Sequence, residues 1–378
     1  MDQCAMYVVY CSDNPSFASN ALKVRAYADQ FPGAGWVHCL YRLAKERGLE
    51  MVSGDLALNK VIKKEWQASN ILVIQEMDSR VGTRLVQLGA NPFVLVCFEA
   101  PLYAPHFYDK KETFIARFKH KLGFGLLKDQ FTFPASVAQL KFGFPSYFLN
   151  EDLKFHTWSD RKSIVLVAGN KYFSIKSILH IPTNPIGILR AVKRWLLFLA
   201  SNSYKKSLQL SLHDKRLELI EYFLEKGRLT IFGSGWNDLS NLPSDWRRRL
   251  PKKNICANYM GSCKNKQETI SDFKFSLCCE NIESPGYITE KIIDCFVAGT
   301  IPIYLGANDI SIHLPSHCFI NARNFSSLDQ LSEYLGGIDD DEAKKMVECG
   351  RQFLRSASAK LYSYEGFSSA IMELIRKC

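Results

Sequence analysis

The sequence predicts an α/β protein made of two consecutive parallel-sheet domains facing across a cleft. Three observations carry this. Apolar runs such as Tyr7–Tyr10, Ile71–Ile74 and Phe93–Phe98 show no polar alternation, which suits strands covered on both faces. Helical periodicity separates these runs, so the units read as right-handed βαβ. The alternation then starts afresh at Ser163, after a stretch from about 102 to 160 dominated by Phe, Tyr, Lys and Pro.

The elements follow in order. In the first half they are a strand at Tyr7–Tyr10, a helix over Trp36–Arg47 closed by Gly48, and strands at Glu50–Ser53 and Ile71–Ile74. A short helix over Val81–Leu88 stops at Gly89, and a strand over Phe93–Phe98 runs into Glu99-Ala100-Pro101. The second half opens with a strand at Ile164–Ala168. It continues with a charged helix over Asp214–Lys226 and a strand at Leu229–Phe232 entering Gly233-Ser234-Gly235. Then come the strand Phe275–Cys279, the helix Thr289–Ala298 and the strand Ile301–Leu305. Helical stretches at Ser327–Leu335, Glu342–Arg355 and Ser368–Lys377 close the chain. We place a Rossmann-like first domain at 1–155, a second at 156–350 with an insert at about 172–212, and a helical tail at 351–378. Ligands of open α/β sheets sit beyond the carboxyl ends of the strands, so the informative residues are those that follow strands.

Composition narrows the partners. The 378 residues are 47% hydrophobic and 23% charged, ordinary for a chain with a full core. A net charge of +10 favours anionic partners: nucleotide diphosphates, nucleic acid or an acidic membrane. The twelve cysteines are scattered without a C-x-x-C, so they read as buried thiols in a reducing compartment, and no zinc spacing appears. The start, MDQCAMYVVYCSD, lacks a basic region and a long apolar region, and no apolar run of ~18 residues occurs. The expectation is a cytoplasmic protein, either free or peripheral at the inner face of the membrane. The chain after the first strand, Tyr10-Cys-Ser-Asp-Asn-Pro, has no G-x-G-x-x-G, which disfavours a dehydrogenase. No nucleic-acid module is present, so nucleic acid is not expected as a partner.

The stretch 273–307, FKFSLCCENIESPGYITEKIIDCFVAGTIPIYLGA, concentrates polar groups where a strand meets a helix N-terminus. Free N–H groups and partial positive charge there suit a diphosphate, and Lys291 adds a full charge. Asn281, Tyr287 and Glu290 can hydrogen-bond sugar hydroxyls. Thr289 and Glu290 are also what simple helix capping would use.

The spacing F-K-F-x-L-x-x-E-N, Y-I-T-E-K and A-G-x-I-P-I-Y-L-G resembles the donor-binding signature of family 10 glycosyltransferases, the α-1,3/α-1,4-fucosyltransferases. The resemblance covers roughly 160–335 and, locally, 93–101. It implies a GT-B fold and GDP-fucose as donor, with no required cofactor and a Mn or Mg ion left open as a stimulant. It also implies roles: Asn281 and Tyr287 line the donor pocket, Glu290 holds fucose or ribose hydroxyls, and Lys291 neutralises the pyrophosphate. Glu280 supports the loop. Phe98-Glu99-Ala100-Pro101 resembles the family's E-S-P turn, with Ala100 in place of Ser, which makes Glu99 the general base of an inverting transfer. Arg216 resembles the family's phosphate-binding Arg at the head of a helix, although the adjacent Lys215 leaves the register open. Gly169 and Asn170 would lie near the donor.

The sequence departs from the family over Tyr172–Leu212. Within this insert, residues 186–200 place Arg190, Lys193 and Arg194 on one helical face, with Trp195, Leu196 and Leu199 elsewhere. Such a helix either lies on an anionic membrane or packs on the protein. The acceptor is an oligosaccharide, a polysaccharide or a lipid-linked glycan. The alternatives are a transferase of the same fold using another nucleotide sugar, and a non-catalytic nucleotide-sugar or glycan-binding protein.

Overall fold

Parallel pairing organises both halves of the chain. The computed structural model describes residues 6–24, 35–109, 112–123, 137–139, 157–179, 185–250 and 252–377. Most of the loose stretch noted between 102 and 160 lies outside them. The first sheet has six strands: β1 (Tyr7–Cys11), β2 (Glu50–Ser53), β3 (Ile71–Glu76), β4 (Asn91–Val96), β5 (His120–Gly123) and β6 (Val137–Gln139). Their order is β2-β1-β3-β4-β5-β6, and each pairing is parallel. The second sheet has β7 (Lys162–Val167), β8 (Leu229–Phe232), β9 (Phe273–Cys279), β10 (Ile301–Leu305) and β11 (Ile320–Asn321), in the order β11-β10-β9-β7-β8 and again all parallel. The expected two-sheet α/β class is therefore the observed one.

Element boundaries moved by a few residues, each for a local reason. β4 begins at Asn91 rather than Phe93 because the chain pairs through a bulge. Val73 faces Pro92 and Ile74 faces Val94, so the register shifts where Pro92 has no N–H to give. The last helix spans Tyr364–Arg376, starting earlier than expected because Ser363 caps it by accepting from Gly366 N at 3.0 Å.

The chain divides into two compact units, and the division corrects the expected domain limits. The first unit comprises Met1–Glu99, Lys110–Phe148 and Ser356–Cys378; the second comprises Ala100–Asp109 and Leu149–Arg355. Residues 356–378 are thus not a separate tail. Phe367 packs against Trp36 at 5.0 Å between ring centroids and against Phe98 at 5.9 Å, and Ser368 Oγ donates to Trp36 O at 2.7 Å. Burying Phe367, Ile371 and Met372 contributes about 1.5–3 kcal/mol each, enough to hold the last helix on the first unit. In the other direction, Ala100–Asp109 joins the second unit. Asp109 accepts from Ser203 N at 3.0 Å, and Tyr103 packs on Phe173 at 5.2 Å.

The cysteine expectation is corrected as well. Cys318 and Cys349 form a disulfide with Cα atoms 5.2 Å apart. Thirty-one residues separate them, and only the packing of helix Asp340–Arg355 beside 316–318 brings them together. The other eight described cysteines are free, and six of them are buried. Among the described residues no helix is long and apolar enough to cross a membrane.

Candidate functional site

In the second sheet the strand order reverses between β7 and β9, which opens a crevice beyond their carboxyl ends. β7 runs out into Ala168-Gly169-Asn170-Lys171 and β9 into Glu280-Asn281. The signature residues therefore gather where an open α/β sheet binds ligands.

Glu280 organises one side. Its side chain is fully buried, and it accepts from Thr289 N at 2.8 Å, from Thr289 Oγ1 at 2.9 Å and from Lys291 Nζ at 2.7 Å. Lys291 Nζ also donates to Thr289 Oγ1 at 2.7 Å. Thr289 stands at the N-cap of helix Glu290–Ala298 but makes no side-chain cap bond, so capping is not its task. It ties the helix start to the end of β9. The rest of the signature follows from this packing. Gly299 closes the helix in the left-handed region at φ 62°, where glycine carries no steric penalty. A Cβ on Gly306 would stand 2.3 Å from Tyr304 Oη and 2.7 Å from Glu280 Cγ. Burial lowers the proton affinity of Lys291, but Glu280 and then Glu290 outweigh it, and Lys291 stays charged above the usual lysine range.

Arg216 organises the other side. The segment before helix His213–Glu225 runs antiparallel to the loop after β9. Leu212 N donates to Asn281 O at 3.1 Å, and Glu283 N donates to Leu210 O at 2.7 Å. This pins the head of the helix beside Glu280-Asn281. Lys215 is exposed and Arg216 is 3% exposed, so the register left open by their adjacency resolves to Arg216 as the inward cation. Arg216 Nη2 donates to Lys171 O at 2.6 Å, while its Nε is buried with no partner among the described residues. No carboxylate among them pairs with it. Burial lowers its pKa from the ordinary arginine value. A desolvated guanidinium without a counter-ion is costly unless an anion joins it.

His213, which the sequence reading passed over, completes this side. Its Nδ1 lies 2.6 Å from Lys171 O and its Nε2 3.5 Å from Tyr103 Oη. Arg216 Nη2 also lies 3.0 Å from Nδ1; with Nδ1–H donating to the Lys171 carbonyl and Nε2 accepting from Tyr103, Arg216 donates to that same carbonyl rather than to the ring. Burial, then Arg216, then Lys171 and Lys291 push the His213 pKa well below its usual value, so the ring is neutral. Lys171, Arg216 and Lys291 thus converge around one uncharged side chain. His213 carried no motif signal, because its importance lies in what surrounds it.

The remaining expected site residues are placed as follows. Asn281 is half-buried at the end of β9, and Tyr287 is buried on the turn that Gly286 N anchors to Asp309 Oδ1 at 2.9 Å. Glu290 is exposed at the first turn of its helix and lies 4.0 Å from Lys266. The Asn170 amide donates to Gly235 O and Asp238 O at 3.0 Å each, and its backbone carbonyl accepts from Asn241 at 2.9 Å. Its side chain shapes the 233–241 loop. Gly169 sits beneath that loop, where an added Cβ would come 3.1 Å from Ser234 Oγ. Glu99 belongs to the first unit. It is exposed two residues beyond Cys97, whose N–H donates to Leu122 O at 2.9 Å, and the preceding Phe98 is held against Trp36 at 5.5 Å. Among the described residues no group of His, Cys, Asp and Glu could hold a metal ion.

Residues 196–347 match the model of the glycosyltransferase family 10 (fucosyltransferase) C-terminal domain. An α-(1,3)-fucosyltransferase FucT of Helicobacter pylori is 33% identical over 105 residues, covering 28% of this chain and 22% of that protein. The mouse 4-galactosyl-N-acetylglucosaminide 3-alpha-L-fucosyltransferase 9 is 38% identical over 78 residues, covering 20% and 22%. The match thus spans about a fifth of these relatives' length. Among solved structures, an α1,3-fucosyltransferase with GDP aligns over 99% of this chain and 90% of its own, with TM-score 0.52 at 16% identity. Anabaena HepE with UDP and glucose aligns over 99% and 100%, with TM-score 0.56 at 8% identity. These two establish the GT-B fold. On that fold, residues 196–347 are similar to the C-terminal domain of glycosyltransferase family 10, the fucosyltransferase family.

Proposed function

We propose that the protein transfers L-fucose from GDP-fucose to a hydroxyl of a glycan acceptor, with inversion at the anomeric carbon. The observation that carries the donor half is Arg216, a buried cation without a counter-ion among the described residues, set with Lys171 and Lys291 at the crevice of the second sheet. A nucleotide diphosphate supplies the missing negative charge. In this reading Arg216 and Lys291 stabilise the diphosphate as charge builds on the leaving oxygen. Lys291 is already oriented by Glu280, so little reorganisation is needed. Asn281 and Tyr287 line the pocket, Glu290 receives sugar hydroxyls, and Gly169 and Asn170 shape its floor. Glu99 takes the proton of the attacking acceptor hydroxyl.

The protein's own cations supply the charge at the diphosphate. Whether Mn or Mg stimulates transfer is answered by an assay with and without chelator. The relatives named as fucosyltransferases support fucose as the sugar, and the neighbour solved with GDP supports guanine as the base. The neighbour solved with UDP and glucose favours a second reading, transfer from another nucleotide sugar on the same fold. A thermal-shift panel of GDP-fucose, GDP-mannose and UDP-sugars separates the two, followed by GDP release with N-acetyllactosamine. The primary reading expects stabilisation by GDP-fucose; stabilisation by UDP-sugars alone would replace it with the second.

A further inference from the structure

Helix Pro185–Ala200 leaves one side uncovered. Ile188, Leu189, Val192, Trp195, Leu196 and Leu199 are 42–71% exposed. At about 100° per residue these six fall within an arc of roughly 120°. Gly187, Ala191, Arg194 and Phe198 lie on the opposite side and are half-buried, where helices Ile175–Leu179 and Asn202–Gln209 pack. Arg190 and Lys193 occupy a third, exposed sector beside the apolar arc. The expected basic face of three is thereby corrected, since Arg194 turns toward the protein and its Nε and Nη2 are buried. A contiguous row of exposed large apolar side chains is unusual on a soluble protein surface and marks a contact site.

The charge around the helix identifies the occupant. Residues 161–213 contain nine Lys and Arg and no Asp or Glu; Lys176 is paired with Asp245 at 3.6 Å and Arg161 and Arg194 are turned inward, so the cations beside the apolar arc and just past its helix are Arg190, Lys193, Lys205 and Lys206. Lys205 lies at the end of the helix, 3.4 Å from Leu199 O, so the positive field continues past its C-terminus. A second copy of the chain docking here by a two-fold axis would set Arg190 and Lys193 of one helix against the same cations of the other, with no Asp or Glu on either helix to offset them. An anionic lipid surface satisfies both sectors at once. The helix has 16 residues, about 24 Å at 1.5 Å per residue, and carries cations within its length, so it fits the plane of the interface. We propose that this face seats the protein on an anionic lipid bilayer, with the apolar arc among the acyl chains and Arg190 and Lys193 against the headgroups. The proposal stands whichever nucleotide sugar the donor crevice takes.

The test is flotation of the full-length protein with vesicles of phosphatidylcholine plus phosphatidylglycerol, and of phosphatidylcholine alone. The wild type is expected to float with the anionic vesicles and to be released by salt. The triple variant Leu189→Ser/Trp195→Ser/Leu196→Ser removes only exposed side chains. It is expected to lose roughly a hundredfold in partitioning at an unchanged melting temperature. Arg190→Glu/Lys193→Glu is expected to erase the preference for phosphatidylglycerol. Failure of the wild type to float overturns the proposal, and so does a triple variant that floats equally well. A wild type that ignores vesicles but dimerises in sedimentation, with a monomeric triple variant, reassigns the face to self-association.

Discussion

At the carboxyl edge of the first sheet most polar groups answer one another, and the two buried side-chain atoms left without a partner among the described residues, Asp55 Oδ1 and Gln75 Oε1, are acceptors that would not draw an anion. Asp13 Oδ1 accepts from Ser79 Oγ at 3.0 Å and from Arg80 N at 2.8 Å, Tyr10 Oη donates to Glu76 at 3.0 Å, and Asn20 and Ser53 exchange bonds at 2.8 and 3.0 Å. At the same edge of the second sheet Lys291 is answered by Glu280, whereas Arg216 meets a carbonyl through Nη2 but, among the described residues, no carboxylate, and its Nε has no partner. Both sheets reverse their strand order at the corresponding place. Topology therefore makes a crevice in each unit, and local charge balance decides which one needs an anion.

Five perturbations break or sharpen this contrast. Glu99→Gln should lower the transfer rate by about 10²–10⁴-fold while leaving the GDP-induced thermal shift unchanged. A near-wild-type rate would remove Glu99 from the chemistry and leave the first edge without a role in it. Phe367→Ala should destabilise the protein by about 3–5 kcal/mol, because it empties the cluster holding Phe98 and Trp36. In chemical denaturation, donor affinity measured below the transition should stay intact.

Arg216→Met should weaken GDP binding by roughly 100-fold through loss of charge-assisted bonds, yet leave the melting temperature equal or higher. Asp13→Ala is its counterpart, with a loss of about 1–2 kcal/mol in stability and unchanged GDP affinity. Calorimetric titration of both decides the matter, and an Arg216→Met protein that is unstable but binds GDP normally would break the contrast.

The smallest effect concerns pH. His213 has a folded pKa well below its unfolded value, so the unfolded chain takes up the proton first. Its contribution is therefore present above about pH 6.5 and lost as pH falls below that, by up to about 1.4 kcal/mol per pH unit. Urea denaturation on either side of that pH should show this slope in the wild type and a shallower one in His213→Gln.

The degree to which the sequence was legible follows the range of the interactions. The strand β9, the helix Glu290–Ala298 and β10 were visible because capping, periodicity and glycine punctuation act within a few residues. The last helix began earlier than its periodic pattern because the cap Ser363 reached past it. The Arg216 register was not visible, since Arg216 and Lys215 differ only in which neighbours each meets. Asn170 was expected at the donor by its position after β7, but its amide is held by carbonyls of a loop more than sixty residues away.

By itself the sequence determined the α/β alternation, the spacing of the Glu280–Lys291 unit and the family those residues resemble. Each is set by local backbone preference or by side chains a helical turn or a tight loop apart. The tertiary structure decided the rest. It joined Ser368 to Trp36 across 332 positions, bonded Cys318 to Cys349, and buried Arg216 with no counter-ion among the described residues. It also turned the apolar residues of helix Pro185–Ala200 outward. Burial and charge compensation belong to a side chain's surroundings, and those surroundings exist only once distant segments have packed.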